Sequence, residues 1–252
     1  MTTMFAFLGQ FGDAIDFIFN EHDSPAGGAQ VGGLGELWEL MWPHLKLSGA
    51  SMGLACAASI PLGLWLGHIG KGGFLAINAS NVGRAVPSLA LIAFFVAYIG
   101  VGFTNLMLAL VLLAIPPILT NTYTAVRQVE RDTVDAARGM GMTGFQIVRR
   151  VELPLALPLI FGGIRISAVN VVATATIAPL AGVTTLGDPI INVNTYGDEG
   201  RLAAALVVAL LAVATEVSFG ALQRLLTPRG LKLTPAGRRR HTFPITRREA
   251  TS

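Results

Sequence analysis

Residues 132–160 read DTVDAARGMGMTGFQIVRRVELPLALPLI, a polar segment with glycines that leads into a run of apolar residues. It interrupts a chain in which 52% of the residues are hydrophobic and 13% are charged. Soluble domains usually carry about a quarter charged residues. The composition therefore indicates an integral membrane protein, and the quoted stretch is the connection between two of its spans.

Five segments have the length and apolarity of membrane-crossing helices, which need about 20 mostly apolar residues. They are residues 45–66, 82–99, 106–126, 155–181 and 202–222. Because unpaired backbone groups are costly in hydrocarbon, each segment is expected to be helical. The predicted fold class is an all-α polytopic membrane protein.

The N-terminal segment has a different pattern. Polar or small residues recur at helical spacing opposite apolar ones in residues 1–20, which predicts an amphipathic helix in the membrane interface. Two aspartates, Asp13 and Asp16, argue against burial in lipid. A sixth span formed by residues 4–20 nevertheless stays open at this point.

The basic residues predict the orientation of the chain. Residues 1–44 contain no Lys or Arg, whereas basic residues cluster in 127–150 and from Arg224 to the end. Short loops that cross the membrane are depleted in Lys and Arg, so the N-terminus is expected outside and the C-terminus in the cytoplasm. The predicted domains are an extracytoplasmic segment 1–44, a transmembrane domain 45–226 with a cytoplasmic loop 127–154, and a basic tail 227–252. The net charge of +3 follows this topology, so no nucleic-acid partner is expected.

The cytoplasmic loop is rich in small residues in its first half. Glycines there permit a sharp turn between two short helices and the close approach of another backbone. Its second half alternates apolar and basic residues and is expected to end at Pro154, which cannot continue a helix without losing a hydrogen bond. The loop is therefore interpreted as a docking element.

Seven positions of this loop follow the pattern E-A-A, three residues, G, nine residues, I-x-L-P. They are Asp135, Ala136, Ala137, Gly141, Val151, Leu153 and Pro154. This pattern resembles the EAA loop of ABC importer permeases, with Asp in place of Glu and Val in place of Ile. The resemblance implies the type I ABC importer permease fold, with a coupling helix held in a cleft of a separate ATPase subunit.

Further stretches are similar to the osmoprotectant subfamily of these permeases. They are VPSLALIAFF at 86–95, ILTNTYTAVRQV at 118–129, LGDPI at 186–190 and LLTPRGL at 225–231. The likeness implies import of glycine betaine, choline or carnitine across a bacterial or archaeal plasma membrane. It also implies a second permease copy or a sister permease, and an extracytoplasmic solute-binding protein. One departure is Val183, Thr184 and Thr185, where relatives tend to have glycines; an importer of methionine or another amino acid is the alternative.

The chain lacks the residues for energy-driven chemistry of its own. No GxxxxGK[ST] pattern is present, and Lys71 lacks both its spacing and its hydroxyl, so ATP hydrolysis is expected on a partner. No cofactor or metal site is expected, and the four histidines have no companion at useful sequence spacing. Neither an intramembrane enzyme nor a channel is favoured, because paired catalytic groups and filter motifs are missing.

Several polar residues lie within the predicted spans. Ser167, Asn170 and Thr174 share one helical face, which predicts either a wet stripe along the solute pathway or hydrogen bonds to neighbouring helices. Pro87 is expected to kink the second span, with Ser88 satisfying a freed backbone group.

Two charged residues also fall inside predicted spans. They are Arg165 and Glu216. An unpaired charge in hydrocarbon costs roughly 2.5 kcal/mol or more, so these two are expected to pair.

Overall fold

The structure is a computed structural model that describes residues 2–74, 78 and 85–227, with side chains from residue 9 onward. The chain begins with helix α1, Thr2–Phe19, followed by the short strands β1, Glu21–Asp23, and β2, Gln30–Gly32. The strands pair antiparallel, with His22 opposite Val31. This hairpin was not predicted from the sequence.

The remaining elements are helical. They are α2 Gly33–Ile69, α3 Ser88–Ile99, α4 Phe103–Arg127, α5 Arg131–Gly139, α6 Gly144–Ile147, a π turn Val148–Glu152, α7 Leu153–Thr174, a 3-10 segment Ala175–Ala181, α8 Asp188–Ile191 and α9 Val193–Leu226. Four helical stretches among the described residues are long and apolar enough to cross a membrane: α2, α4, Gly144–Ala181 and α9. The predicted all-α polytopic fold is confirmed.

Two span boundaries differ from the prediction. The first helix begins at Gly33 rather than at residue 45, because Leu37 and Leu40 extend its apolar face and are buried. Of the second predicted span, 82–99, the structure describes α3 from Ser88 onward, while residues 82–84 lie outside the described part. The tail from residue 228 lies outside it as well.

The bundle packs through close contacts between α2 and α4. A Cβ atom at Gly63 would lie 2.7 Å from Thr122 Cβ, and one at Gly67 would lie 2.7 Å from Val126 Cβ. Both distances are shorter than real Cβ contacts, so only glycine lets the helices approach this closely. Gly163 of α7 has the same role against Asn121 and the Pro117 carbonyl of α4.

The N-terminal unit, residues 9–32, is fastened to the beginnings of α2 and α9. Ala14 and Phe17 of α1 are buried in one cluster with Val31 and Ala203. Ser24 Oγ donates to the Thr195 carbonyl at 2.8 Å. We call the end of the bundle that carries this unit the hairpin end, and the end that carries residues 128–152 the loop end. α1 thus packs on the bundle through one apolar face, while Ile15 and Phe19 stay exposed.

A second contact at the hairpin end links α2 directly to α9. Tyr196 of α9 donates its hydroxyl to Glu36 Oε1 of α2 at 3.0 Å. The other carboxylate oxygen of Glu36 accepts the Gly32 amide at 2.6 Å. Directly after Tyr196, Gly197 interrupts α9 with φ 70° and ψ 179°. Beyond this break, Gly200 leaves room for the Phe17 ring, which a Cβ there would meet at 2.8 Å.

Candidate functional site

The candidate coupling element is α5 with the turn that follows it. Met142 N–H donates to the Ala137 carbonyl, and Gly141 N–H donates to the Arg138 carbonyl. These two bonds, with Gly141 at φ +81°, form a Schellman motif. The predicted sharp turn at glycine between two short helices is therefore confirmed. A side chain at Gly141 would meet open space, so its backbone conformation is what requires glycine.

α5 has one buried face and one open face. Ala137 is buried against the bundle, whereas Asp135, Ala136 and Gly141 are exposed. Beside them, Met140 and Phe145 are 73% and 74% exposed, although both are large apolar residues. Exposed apolar side chains next to small residues are typical of a surface that a partner covers.

The segment after the turn is held rigidly. Thr143 caps α6 through its hydroxyl, which accepts the Gln146 amide, and the Gln146 side chain accepts the Thr143 amide at 2.8 Å. This reciprocal pair is a capping box, which fixes the start of a helix. Ile147 of α6 is buried, so α6 is anchored to the bundle while α5 protrudes.

Pro154 does not end the helix, which corrects the prediction. The π turn Val148–Glu152 precedes it, and the Leu153 amide bonds to the Val148 carbonyl. Pro154 directly follows this π turn within one continuous helical stretch, Gly144–Ala181, so the wider turn accommodates a residue that has no N–H. We call α5 with the Gly141 turn the knob, and residues 143–154 its base. Asp135, Ala136 and Gly141 are exposed on the knob, whereas Val151, Leu153 and Pro154 are half-buried in the base. The seven motif positions therefore do not form one surface.

His68 and Glu152 join the base to the end of α2. Nδ1 of His68 lies 2.9 Å from Oε2 of Glu152, which is 4% exposed. His68 also lies against Gly144, where a Cβ would be 3.0 Å from its Nε2. Sequence spacing gives His68 no ligand or catalytic companion, and Glu152, the hydrogen-bond partner that the structure places beside it, lies 84 residues further along the chain.

Basic side chains surround this junction. A cavity of about 110 Å³ separates α5 from the ends of α2 and α4, and its lining includes Arg127, Arg131, Arg138 and Glu152. Arg127 Nη1 lies over Gly70, the left-handed residue that ends α2. A guanidinium at this position faces the negative end of the α2 dipole.

The three residues of the predicted polar stripe on α7 have different surroundings. Ser167 is fully buried and donates to the Ala114 carbonyl of α4 at 2.9 Å. Asn170 is exposed, and Thr174 lies half-buried near the end of α7. Of the two predicted roles, Ser167 has the hydrogen bond to a neighbouring helix, because its side chain points toward α4.

Pro87 differs from its predicted role as well. It precedes the first residue of α3, with φ −64° and ψ 125°, and its carbonyl accepts the Leu91 amide. A residue at the start of a helix has no carbonyl to which its N–H could donate within the helix, so a proline is tolerated there. Pro87 therefore marks the beginning of α3 and does not kink it. Ser88 is the first helical residue, half-exposed. Pro158, inside α7, has its carbonyl bound by Gln223 Nε2 of α9 at 2.9 Å.

Arg165 and Glu216 form the predicted ion pair. Nε of Arg165 lies 3.1 Å from Oε1 of Glu216, which joins α7 to α9. The side chains are 37% and 48% exposed, so the pair lies on the outer face of this chain rather than in its core. A cavity of about 450 Å³ lies beside Arg165, lined also by Gly220, Gln223 and Thr227.

The loop between the 3-10 segment and α8 is ordered by Thr185. Its hydroxyl donates to the Ala175 carbonyl at 3.1 Å and accepts the Gly187 amide at 3.2 Å. The Thr185 amide donates to Asp188 Oδ2 at 2.7 Å. Burial raises the pKa of Asp188 above its ordinary value, and the charge of Glu36 adds to the rise, while the bond from the Thr185 amide opposes it. The stretch Val183–Thr185 thus gives this loop a defined, side-chain-bonded conformation.

Comparison with known families gives one match over most of the chain. Residues 59–231 match the family described as binding-protein-dependent transport system inner membrane component. The match includes α4, the knob and its base, and α7.

Individual relatives agree with the family. The carnitine transport permease protein OpuCB of Listeria monocytogenes is 38% identical over 192 residues, which is 76% of this chain and 88% of that protein. The glycine betaine/carnitine/choline transport system permease protein OpuCB of Bacillus subtilis (strain 168) is 37% identical over 199 residues, covering 79% and 92%. Among solved structures, an inward-facing MetNI methionine ABC transporter matches with a TM-score of 0.66, 22% identity, and coverage of 77% and 98%. At that identity the likeness concerns the fold, and it confirms the expected importer-permease architecture.

Proposed function

This chain belongs to the family of binding-protein-dependent transport system inner membrane components, and from that premise we propose that it imports quaternary-amine osmoprotectants. It is a permease subunit of an ABC importer. The solute class that we propose is glycine betaine, carnitine and choline. Its support is the two permeases named for these solutes that are 37% and 38% identical over three quarters of the chain.

Energy enters, in this proposal, through the knob formed by α5 and the Gly141 turn. The observation that carries it is the exposed pair Met140 and Phe145 beside the small residues Ala136 and Gly141, on an element that protrudes from the bundle. A cleft in an ATPase subunit would cover these apolar side chains. Since α6 and the His68–Glu152 contact fix the base, a displacement of α5 is passed to α2 and α7 as a rigid-body motion.

The remaining partners follow from the distribution of charge. The loop end carries the arginines around α5, and the hairpin end carries acidic residues such as Asp13, Asp16 and Asp23. We place the loop end in the cytoplasm and the N-terminal unit outside, where an extracytoplasmic binding protein delivers the solute. A second copy of the chain or a sister permease completes the pathway.

The test is uptake into proteoliposomes that contain the permease, its ATPase and its binding protein. When the ATPase and ATP face the vesicle lumen, radiolabelled glycine betaine is expected to accumulate in that lumen. An excess of carnitine should reduce the uptake. Accumulation of methionine in place of glycine betaine would overturn the solute class.

A matched preparation without the ATPase tests the coupling part separately. No solute should accumulate in it. Uphill uptake by the permease alone would overturn the proposal that a partner supplies the energy.

A further inference from the structure

Arg165 lies near the middle of α7, and Glu216 lies closer to the Leu226 end of α9 than to its Val193 start. At a rise of about 1.5 Å per residue, Arg165 is about 18 Å from the start of α7 and about 14 Å from its end at Thr174. Glu216 is about 15 Å from the end of α9 at Leu226 by the same measure. Both charges therefore lie well inside the hydrocarbon depth, about 30 Å in total.

The exposure of the pair excludes lipid as its surroundings. More than a third of each side chain is uncovered by this chain. Charges at this depth are stable only against protein or in a water-filled space. The face of α7 and α9 that carries the pair is therefore assigned to the other permease subunit or to a water-filled space between the two subunits.

The local geometry leaves the guanidinium open toward a cavity. The contact to Glu216 uses Nε of Arg165. Nη1 lies over Gly220, one helical turn beyond Glu216, at 3.7 Å from where a Cβ would stand. The absence of a side chain at Gly220 keeps this edge of the guanidinium clear. Arg165, Gly220 and Arg224 line the 450 Å³ cavity, and Glu216 adjoins it through its contact with Arg165. That volume is ample for a small solute.

The chemistry of the proposed solutes fits an exchange with the pair. Glycine betaine and carnitine carry one carboxylate and one quaternary ammonium group. A guanidinium binds a carboxylate through two parallel N–H donors, and Glu216 offers a carboxylate to the cation. In the empty site Arg165 and Glu216 pair with each other, and in the filled site each pairs with one charge of the solute. Neither state leaves Arg165 or Glu216 unpaired in the membrane. Choline, which has no carboxylate, would occupy Glu216 and leave Arg165 without its partner.

We propose that Arg165 and Glu216 form a zwitterion-binding station of the translocation pathway, at which the solute's two charges replace the internal ion pair. This inference rests on the proposed function. It predicts that the importer carries zwitterions in preference to simple cations, and that Arg165 and Glu216 cause this preference. The grip is weak, because an internal ion pair competes with the solute for both groups, and weak binding suits release toward the next part of the pathway.

The test compares glycine betaine with choline in proteoliposomes that contain the complete importer. The variant replaces both charges by amides, Arg165→Gln with Glu216→Gln, so that neutrality and hydrogen bonding are kept. We expect the ratio of glycine betaine uptake to choline uptake to fall by about tenfold while the ATPase still co-purifies. A ratio within about twofold of the unchanged chain would overturn the inference.

A matched control uses an arginine–carboxylate pair that lies within α9. Arg201 and Asp198 lie 3.6 Å apart near the hairpin end. Arg201→Gln with Asp198→Asn should leave the uptake ratio unchanged. Failure of the unchanged importer to carry either quaternary amine would refute the proposed function itself, and the station with it. Transport of both by the unchanged importer, with an unaltered ratio in the amide variant, would refute the station alone.

Thiol labelling keeps the inference testable if the amide variant fails to assemble. The chain has one cysteine, Cys56, which is replaced by alanine before Gly220→Cys is introduced. A methanethiosulfonate that carries a trimethylammonium group should modify position 220 in the assembled importer, and glycine betaine should slow the reaction. Lack of modification, or modification that glycine betaine does not slow, would overturn the station.

Discussion

His68 Nδ1 lies 2.9 Å from Glu152 Oε2, and this contact joins the end of α2 to the base of the coupling knob. Glu152 is almost completely buried, and the π turn that carries it leads directly into Pro154 and α7. Two membrane-crossing helices therefore meet at one polar contact beside the knob. In the proposed coupling, a displacement of the knob would reach both helices through this contact.

Removing the imidazole should destabilise the chain measurably. His68→Ala leaves a buried carboxylate without its partner, which costs about 3 kcal/mol. We expect a lower thermal unfolding midpoint in detergent and less solute transported per ATP hydrolysed. Arg201→Ala is the control, because Arg201 lies 3.6 Å from Asp198 in an exposed pair worth less than about 1 kcal/mol. Equal midpoints for the two variants would contradict the structural role of His68.

The Gly141 turn should be needed for ATPase assembly but not for insertion. Gly141→Asp forces a side chain into a left-handed backbone conformation, at about 1 kcal/mol, and places a charge beside the exposed Met140. We expect normal amounts in the membrane and loss of the co-purifying ATPase. Gly139→Ala, in the last helical turn of α5 with open space around it, should assemble normally. Retention of the ATPase by Gly141→Asp would count against docking at the knob.

Replacing two glycines of α2 by alanine should change the free energy of unfolding in opposite directions. Gly67→Ala puts a Cβ 2.7 Å from Val126 Cβ, and such overpacking costs about 2 kcal/mol. Gly53→Ala, on the same helix with no atom within 4 Å, should instead raise stability by up to about 1 kcal/mol through helix propensity. Thermal unfolding of both variants checks this. A stabilising Gly67→Ala would mean that α2 and α4 do not pack as described.

The loop at the hairpin end should depend on one hydroxyl. Thr185→Val keeps the shape of the side chain but removes the bonds to the Ala175 carbonyl and the Gly187 amide, which costs about 1 to 3 kcal/mol. Thr184→Val, at the exposed neighbouring position, should change stability by less than about 0.5 kcal/mol. Thr185→Ser retains the hydroxyl and should restore most of the loss. Comparable unfolding midpoints for Thr185→Val and Thr184→Val would refute this account.

The spans and the ion pair could be predicted because hydrocarbon imposes simple rules. Apolar runs of sufficient length must be helical, and two opposite charges at membrane depth must find each other, as Arg165 and Glu216 do. The knob could be predicted from its glycines and from the spacing of the EAA-like pattern. These inferences need only local composition or a spacing along the chain.

Contacts between distant segments could not be predicted in this way. His68 and Glu152 lie at the ends of spans, where polar residues are ordinary, so neither shows that it has a partner. Helical spacing places Ser167 and Asn170 relative to each other, but it does not say which direction faces α4. A proline at position 87 fits both a helix boundary and a kink within a helix, and the sequence does not distinguish the two. The structure does, because the helix begins directly after Pro87.

Ser24 and Glu36 hold the short turn that contains Thr195 and Tyr196, and Gly197, with φ 70° and ψ 179°, interrupts the helix directly after it. The break separates this anchored turn from the long part of α9, so a tilt of α9 about Gly197 displaces its Gly200 end least and its Leu226 end most. We therefore expect a gap that opens between α2 and α9 to be narrowest near Tyr196 and widest near Leu226.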